Sequence, residues 1–171
     1  MSPVLFSYYV NSLICKIQKY GLGCHVGLQN MGIFMFADDL MIISGSVADL
    51  QTTINMCVSG FQNLDLSINI KKSKCIRIGK HCKSICGNLY VGNTTLSWTD
   101  QLTYLGIAII SATKFTIDIK QSRAKFYRSF NSLYSKIFRA NEYMIVSLLT
   151  TFCTPLIMYG LDALTLNNTE L

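Results

Sequence analysis

The chain has 171 residues; half are hydrophobic and only 14% are charged, where ordinary soluble domains carry roughly 25% charged residues. That composition excludes intrinsic disorder as the main state, and two prolines with eleven glycines exclude collagen-like or linker-like material. The net charge of +6 is uneven: residues 1–50 sum to −1 and residues 51–171 to +7, a basic excess that points to a polyanionic partner, nucleic acid first.

Ser2 and Pro3 read as a helix opening, a capping hydroxyl followed by proline in the first turn. Leu5, Tyr8, Tyr9, Leu13 and Ile17 recur at helical spacing, and Gly21 is a natural stop. A helix at the very start of the chain raises the expectation that part of the parent protein lies upstream. Ile33–Phe36 and Leu40–Ser44 are short apolar runs on either side of Ala37-Asp38-Asp39, which predicts a β-hairpin with two carboxylates at its tip. Ser46 and Asp49 have capping-box spacing, and Leu50, Ile54, Cys57, Val58, Phe61 and Leu64 follow at intervals of three and four, predicting an amphipathic helix over 47–65. Cys75–Ile78 reads as a strand, Leu89–Val91 and Thr94–Trp98 as a hairpin about Gly92-Asn93, and Tyr104–Ile110 as a further strand. A long helix is expected from about Asp118 to Arg139, with Ile119, Phe126, Phe130, Leu133, Tyr134 and Ile137 on its apolar side and Lys125, Arg128, Lys136 and Arg139 opposite. The order of elements argues an α+β fold.

Nineteen residues from Tyr143 to Leu161 carry no charge, near the length of a membrane helix. Hydroxyl residues and Pro155 break the run, and no Lys or Arg anchors its ends, so a buried helical pair hinged at Pro155 is expected and no membrane partner. Seven cysteines at irregular spacings, with no secretory signal at Met1, predict reduced thiols and an intracellular location, nucleus or cytoplasm undetermined. Cys75, His81, Cys82 and Cys86 could supply four zinc ligands, in a spacing that matches no common zinc module.

Two features can do chemistry. Asp38 and Asp39 stand alone in an otherwise uncharged run, Gly27–Gly45. Adjacent ionised carboxylates repel unless a cation intervenes, and hard oxygens suit Mg²⁺. At a bent hairpin tip either both carboxylates or only the first reach one site, and a simple polar turn is the alternative. The second feature is Leu66-Ser67-Ile68-Asn69-Ile70-Lys71-Lys72-Ser73-Lys74, which opens a stretch of six Lys/Arg up to Lys83. A lysine there can neutralise a triphosphate, and a solvated basic loop is the alternative.

Phe36-Ala37-Asp38-Asp39 resembles the F/Y-x-D-D catalytic hairpin of reverse transcriptases, in the form found in non-LTR retrotransposon polymerases. Ser2-Pro3-Val4-Leu5-Phe6-Ser7-Tyr8-Tyr9-Val10 is similar to the end of the preceding family motif, without its usual Gln-Gly start. Ser67–Lys74 resembles the asparagine-and-lysine turn that follows the palm helix, Tyr104-Leu105-Gly106 the primer-grip hairpin, and the helix around Lys125-Phe126-Tyr127-Arg128 the start of the thumb. The resemblance implies a partial polymerase palm over 1–112 followed by a helical thumb-like segment over 113–171. It implies RNA-directed DNA polymerisation with an RNA template, a DNA primer, deoxynucleotide triphosphates and Mg²⁺ or Mn²⁺. Asp38 would be the principal metal ligand with Asp39 beside it, and Lys71 or Lys72 would approach the triphosphate. Tyr104, Leu105 and Gly106 would hold the primer end, and Lys125, Arg128, Lys136 and Arg139 would track the duplex backbone. The family's other catalytic aspartate lies upstream of the Ser-Pro helix, so the 171 residues alone are expected to be inactive. A non-catalytic nucleic-acid-binding remnant is the main alternative, and a small membrane-associated protein a lesser one.

Overall fold

The computed structural model describes residues 3–160. It is α+β, with small antiparallel sheets between helices, and it divides into two compact units: residues 1–75 with 84–98, and residues 76–83 with 99–171.

The first unit opens with α1 (Pro3–Lys19), which ends where Gly21 takes a left-handed φ of 69°. The face it buries matches the one the spacing suggested at Leu13 and Ile17 and differs from it in the first turns. Val10 and Ile17 are buried with Phe6, Leu13 and Ile14 beside them, while Leu5, Tyr8 and Tyr9 face outward. Apolar residues occupy both sides of α1, so periodicity cannot choose between them. The capping role expected of Ser2 lies outside the described residues.

A short ribbon, β1 (His25–Val26) and β2 (Gln29–Asn30), precedes the hairpin of β3 (Ile33–Phe36) and β4 (Asp39–Ile42). The register pairs Ile33 with Ile42 and Phe36 with Asp39. Then α2 (Val47–Gln62) starts as expected: Ser46 caps it by accepting the Asp49 amide at 3.3 Å. Thr53, Ile54, Cys57 and Phe61 are its buried residues. α1 crosses α2 at Gly60, where any Cβ would collide with the Leu13 side chain. β5 (Leu89–Val91) and β6 (Thr94–Leu96) form the hairpin signalled by Gly92-Asn93. The Gln51 amide ties it to α2, donating to the Tyr90 carbonyl and accepting the Tyr90 amide, both at 2.8 Å.

Cys75–Ile78 is not a strand. Cys75 makes a single parallel bridge to Trp98, anchored by its amide on the Ser97 carbonyl at 3.0 Å.

In the second unit β7 (Gln101–Tyr104), β8 (Ile107–Ile110) and β9 (Thr116–Asp118) form a three-stranded antiparallel sheet. The single strand expected over Tyr104–Ile110 is therefore cut by a turn at Leu105-Gly106, both at positive φ. α3 (Lys120–Ile137) begins later and ends earlier than expected, because Asp118 belongs to β9 and its carboxylate accepts the Lys120 amide at 2.9 Å. α4 (Glu142–Phe152) and α5 (Thr154–Met158) break at Cys153–Pro155, as the proline foretold. Neither is buried, however. Tyr143, Met144, Val146 and Phe152 are exposed, because a short helix that is apolar all round can cover only one side against its neighbours. The end of that apolar run at Leu161 lies outside the described residues. Among the described residues no helix is long and apolar enough to cross a membrane.

Candidate functional site

The β3–β4 hairpin is short because Phe36 pairs directly with Asp39, leaving Ala37-Asp38 as a two-residue loop. Ala37 takes a φ of 51°, a left-handed conformation that a side-chain-bearing residue rarely adopts. Such strain persists where the surroundings hold the chain in place, and here the holding is done at the base of the hairpin. The Ile43 amide donates to the Gly32 carbonyl at 2.8 Å and the Cys24 amide to the Ile43 carbonyl at 3.2 Å. Gly23 and Gly32 let those backbones touch: a Cβ on Gly23 would lie 2.7 Å from the Gly32 Cα. Asn30 completes the clamp, its amide nitrogen donating to the Leu22 carbonyl at 2.9 Å and its oxygen accepting the Gly32 amide at 2.8 Å. Ile33 is buried against Val10, Ile17, Cys57 and Phe61, with Met35, Leu40 and Ile42 packed around them.

The outcome is a fixed base and an open tip. Asp38 and Asp39 are both exposed, and so is Phe36, at 64%. Both carboxylates face water, where a cation can approach without crossing a core.

The lysine turn hangs from the same unit. Ile68 and Ile70 are packed onto its cores, so Asn69 and Lys71 alternate outward. Asn69 builds the turn: its carbonyl accepts the Lys72 and Ser73 amides, both at 3.1 Å, and its side-chain oxygen accepts the Lys72 amide at 3.3 Å. Lys71 and Lys72 are exposed as a result.

The other predicted residues lie in the second unit. Tyr104, Leu105 and Gly106 form the β7–β8 turn, with φ values of 47° at Leu105 and 80° at Gly106. Lys125, Arg128 and Lys136 are exposed on α3, the Arg128 Nε donating to the Ala124 carbonyl at 3.2 Å. Arg139 lies beyond the helix end, its guanidinium 5.2 Å from the centre of the Phe138 ring. Three residues of the expected apolar side form an aromatic ladder along the same helix. Phe126 stacks on Phe130 at 6.0 Å and Phe130 on Tyr134 at 5.7 Å.

Among the described residues, no group of three or more His, Cys, Asp or Glu is placed to hold a metal ion, so Cys75, His81, Cys82 and Cys86, whose spacing matched no common zinc module, do not form a zinc set. The Cys75 thiol is pushed above its ordinary range by burial and then by the Cys86 thiol, the reverse of what a ligating thiolate needs.

Asn30 and Tyr159 were missed. Asn30 had a local signal, an Asx residue two before a glycine. Tyr159, whose hydroxyl donates to the Leu105 carbonyl at 2.7 Å, had none, since 54 residues separate the partners.

The family model for reverse transcriptase (RNA-dependent DNA polymerase) matches residues 1–109, a stretch that includes the Asp38-Asp39 tip, the lysine turn and the Leu105-Gly106 turn. The chain is 30% identical over 115 residues to a retrovirus-related Pol polyprotein from type-1 retrotransposable element R2 of Popillia japonica. It is 25% identical over 118 residues to the corresponding polyprotein of Nasonia vitripennis. These alignments cover 62% and 63% of this chain but only 16% and 11% of the relatives, so the chain spans less than a fifth of either. No solved structure gives a significant match.

Proposed function

The chain belongs to the reverse transcriptase family, and on that premise we propose that it is a segment of an RNA-directed DNA polymerase of the non-LTR retrotransposon type. The segment would contribute the metal-binding hairpin, the triphosphate-side lysines, the primer-holding turn and a duplex-tracking helix. The observation that carries the reading is the hairpin tip. A strained Ala37 turn on a clamped base presents Asp38 and Asp39 to solvent, inside the region the family model matches. The boundary at 112/113, between palm and thumb-like segment, is part of this proposal.

Members of the family generally use divalent metals. Two adjacent carboxylates fit Mg²⁺ or Mn²⁺ in kind, since both ions take hard oxygen ligands. They fall short in number: with no third ligating residue grouped among the described residues, most of an octahedron stays open. Asp38 and Asp39 would hold the ion, which when bound would neutralise charge developing on the phosphoryl group. Asp38, the loop residue, would be the principal ligand. Lys71 or Lys72 would meet the negative charge of the deoxynucleotide triphosphate. Tyr104-Leu105-Gly106 would seat the DNA primer on its RNA template, and Lys125, Arg128, Lys136 and Arg139 would contact phosphates without reading sequence.

The short carboxylate set favours a second reading of the 171 residues by themselves: they bind nucleic acid and do not catalyse. Seven free cysteines suit a reducing, intracellular setting. One experiment addresses both readings. Residues 1–109 replace the matching segment of the Popillia japonica polyprotein, and primer extension is measured beside that of the isolated chain. The chimera is expected to extend a primer and the isolated chain is not. Asp38→Asn in the chimera should lower the rate by ~100-fold or more, the scale of losing one preorganised electrostatic group, with duplex affinity unchanged. A chimera that tolerates Asp38→Asn would reduce the hairpin to a structural turn.

A further inference from the structure

We propose that Tyr159 is a positioning residue that latches the Leu105-Gly106 turn, and through it sets affinity for a recessed primer 3′ end; this rests on the primer-holding role proposed above. The turn needs such a latch. Tyr104 pairs with Ile107, so Leu105 and Gly106 alone close the hairpin, and both lie at positive φ. That is the primed turn hairpins favour, but it calls for Asn, Asp or Gly at its first position. Leucine has no local means of stabilising a left-handed backbone, and such a conformation persists only where neighbours over-determine it.

The neighbours are Tyr159 and Gly160, the two residues that follow α5. The Tyr159 hydroxyl donates to the Leu105 carbonyl at 2.7 Å, at the point of the loop that the β ladder leaves over. Its ring lies along Gly106, 3.5 Å from where a Cβ would stand. The next residue, Gly160, sits at φ 81°, and a Cβ there would come within 2.8 Å of the Ile107 side chain. Tyr159 is itself fixed, because its amide donates to the Pro155 carbonyl at 3.1 Å at the end of α5. Three contacts from two consecutive residues therefore converge on Leu105, Gly106 and Ile107. Yet Tyr159 remains 61% exposed, so the contact buries little surface and acts on loop geometry more than on global stability.

The test uses the full chain and the variant Tyr159→Phe, which keeps the ring on Gly106 and deletes only the hydroxyl. Amide exchange at residues 105–107 is read alongside affinity for two RNA–DNA heteroduplexes of equal length, one with a recessed DNA 3′ end and one blunt. Exchange should quicken by ~2- to 10-fold, the worth of one neutral hydrogen bond, and recessed-end affinity should fall by a similar factor. Blunt-duplex affinity and the melting midpoint should not move. Unchanged exchange overturns the latch. Faster exchange with unchanged recessed-end affinity, or an equal loss on both duplexes, overturns the positioning role. A wild-type chain that binds neither duplex contradicts the proposed function instead, and the exchange measurement alone then decides the latch.

Discussion

The chain contains two hairpins of nearly the same build, and they are completed in opposite ways. Each has four-residue antiparallel strands and a two-residue loop whose first position is a non-glycine at positive φ, Ala37 at 51° in one and Leu105 at 47° in the other. In the β7–β8 hairpin the loop is held from outside by Tyr159, which bonds the Leu105 carbonyl and covers Gly106. In the β3–β4 hairpin nothing of the kind reaches the loop: among the described residues no side chain hydrogen-bonds to Ala37 or Asp38. Its rigidity comes from below, from the Gly23–Gly32 contact, the Asn30 clamp and the core under Ile33. A tip with the metal-binding role proposed for Asp38 and Asp39 would have to stay uncovered by its own chain, and its support lies at the base. The β7–β8 turn is instead latched on one exposed side by a residue of its own chain.

Disturbing the two supports separately sharpens that contrast. The largest effect is expected from alkali. Burial pushes the Cys57 thiol, in the core beneath the β3–β4 hairpin, up to about 12. Thiolate formation therefore favours the unfolded state once pH passes the ordinary value of 9.0, and stability is lost as pH rises from there towards the folded value. The slope approaches ~1.4 kcal/mol per pH unit, and Cys57→Ala should flatten it in denaturant titrations between those limits. The same titration with an unaltered slope would mean that Cys57 does not control the core under the tip.

Next in size is Gly32→Ala. The new Cβ would meet the Gly23 Cα and the Leu22 carbonyl oxygen, each at 2.9 Å, and backbone cannot step aside as a side-chain end can. Overpacking of this kind costs ~1–3 kcal/mol, read as a lower denaturation midpoint. Exchange should quicken at Ile43, whose amide bonds Gly32, while the β7–β8 turn stays protected. Loosening of both turns together would break the separation of supports. The smallest effect, and one of opposite sign, belongs to Ala37→Gly. It should stabilise by ~0.5 kcal/mol, the relief of a left-handed Ala less the added freedom of the unfolded chain. A destabilisation would show that the Ala37 methyl makes a contact the open-tip description omits.

What the sequence made legible was local. The DD hairpin, the Ser46 cap, the Gly92-Asn93 turn and the Pro155 break each depend on residues a few positions apart, and each is present. The motifs that resemble reverse transcriptases lie in the region where the family match is found as far as Gly106, while the thumb-like helix around residues 125–128 lies beyond it. Long-range choices were not legible. α1 has two apolar faces and only its partners select one. Leu105 carries no sequence sign of a positive φ, so the β7–β8 hairpin read as one strand. The Cys75 bridge, the Gln51 amide on Tyr90 and the Tyr159 hydroxyl on Leu105 join residues 23, 39 and 54 apart, distances over which no spacing rule operates.

On the proposed function the open tip, and not the latched turn, is the metal-binding element. Paramagnetic broadening of backbone amide resonances by Mn²⁺ tests it on the chain as it stands. Selective broadening of residues 37–40 is expected, competed away by Mg²⁺, lost in Asp38→Asn, and absent at residues 105–107. Broadening that survives Asp38→Asn, or that is equal at the two hairpins, would contradict it.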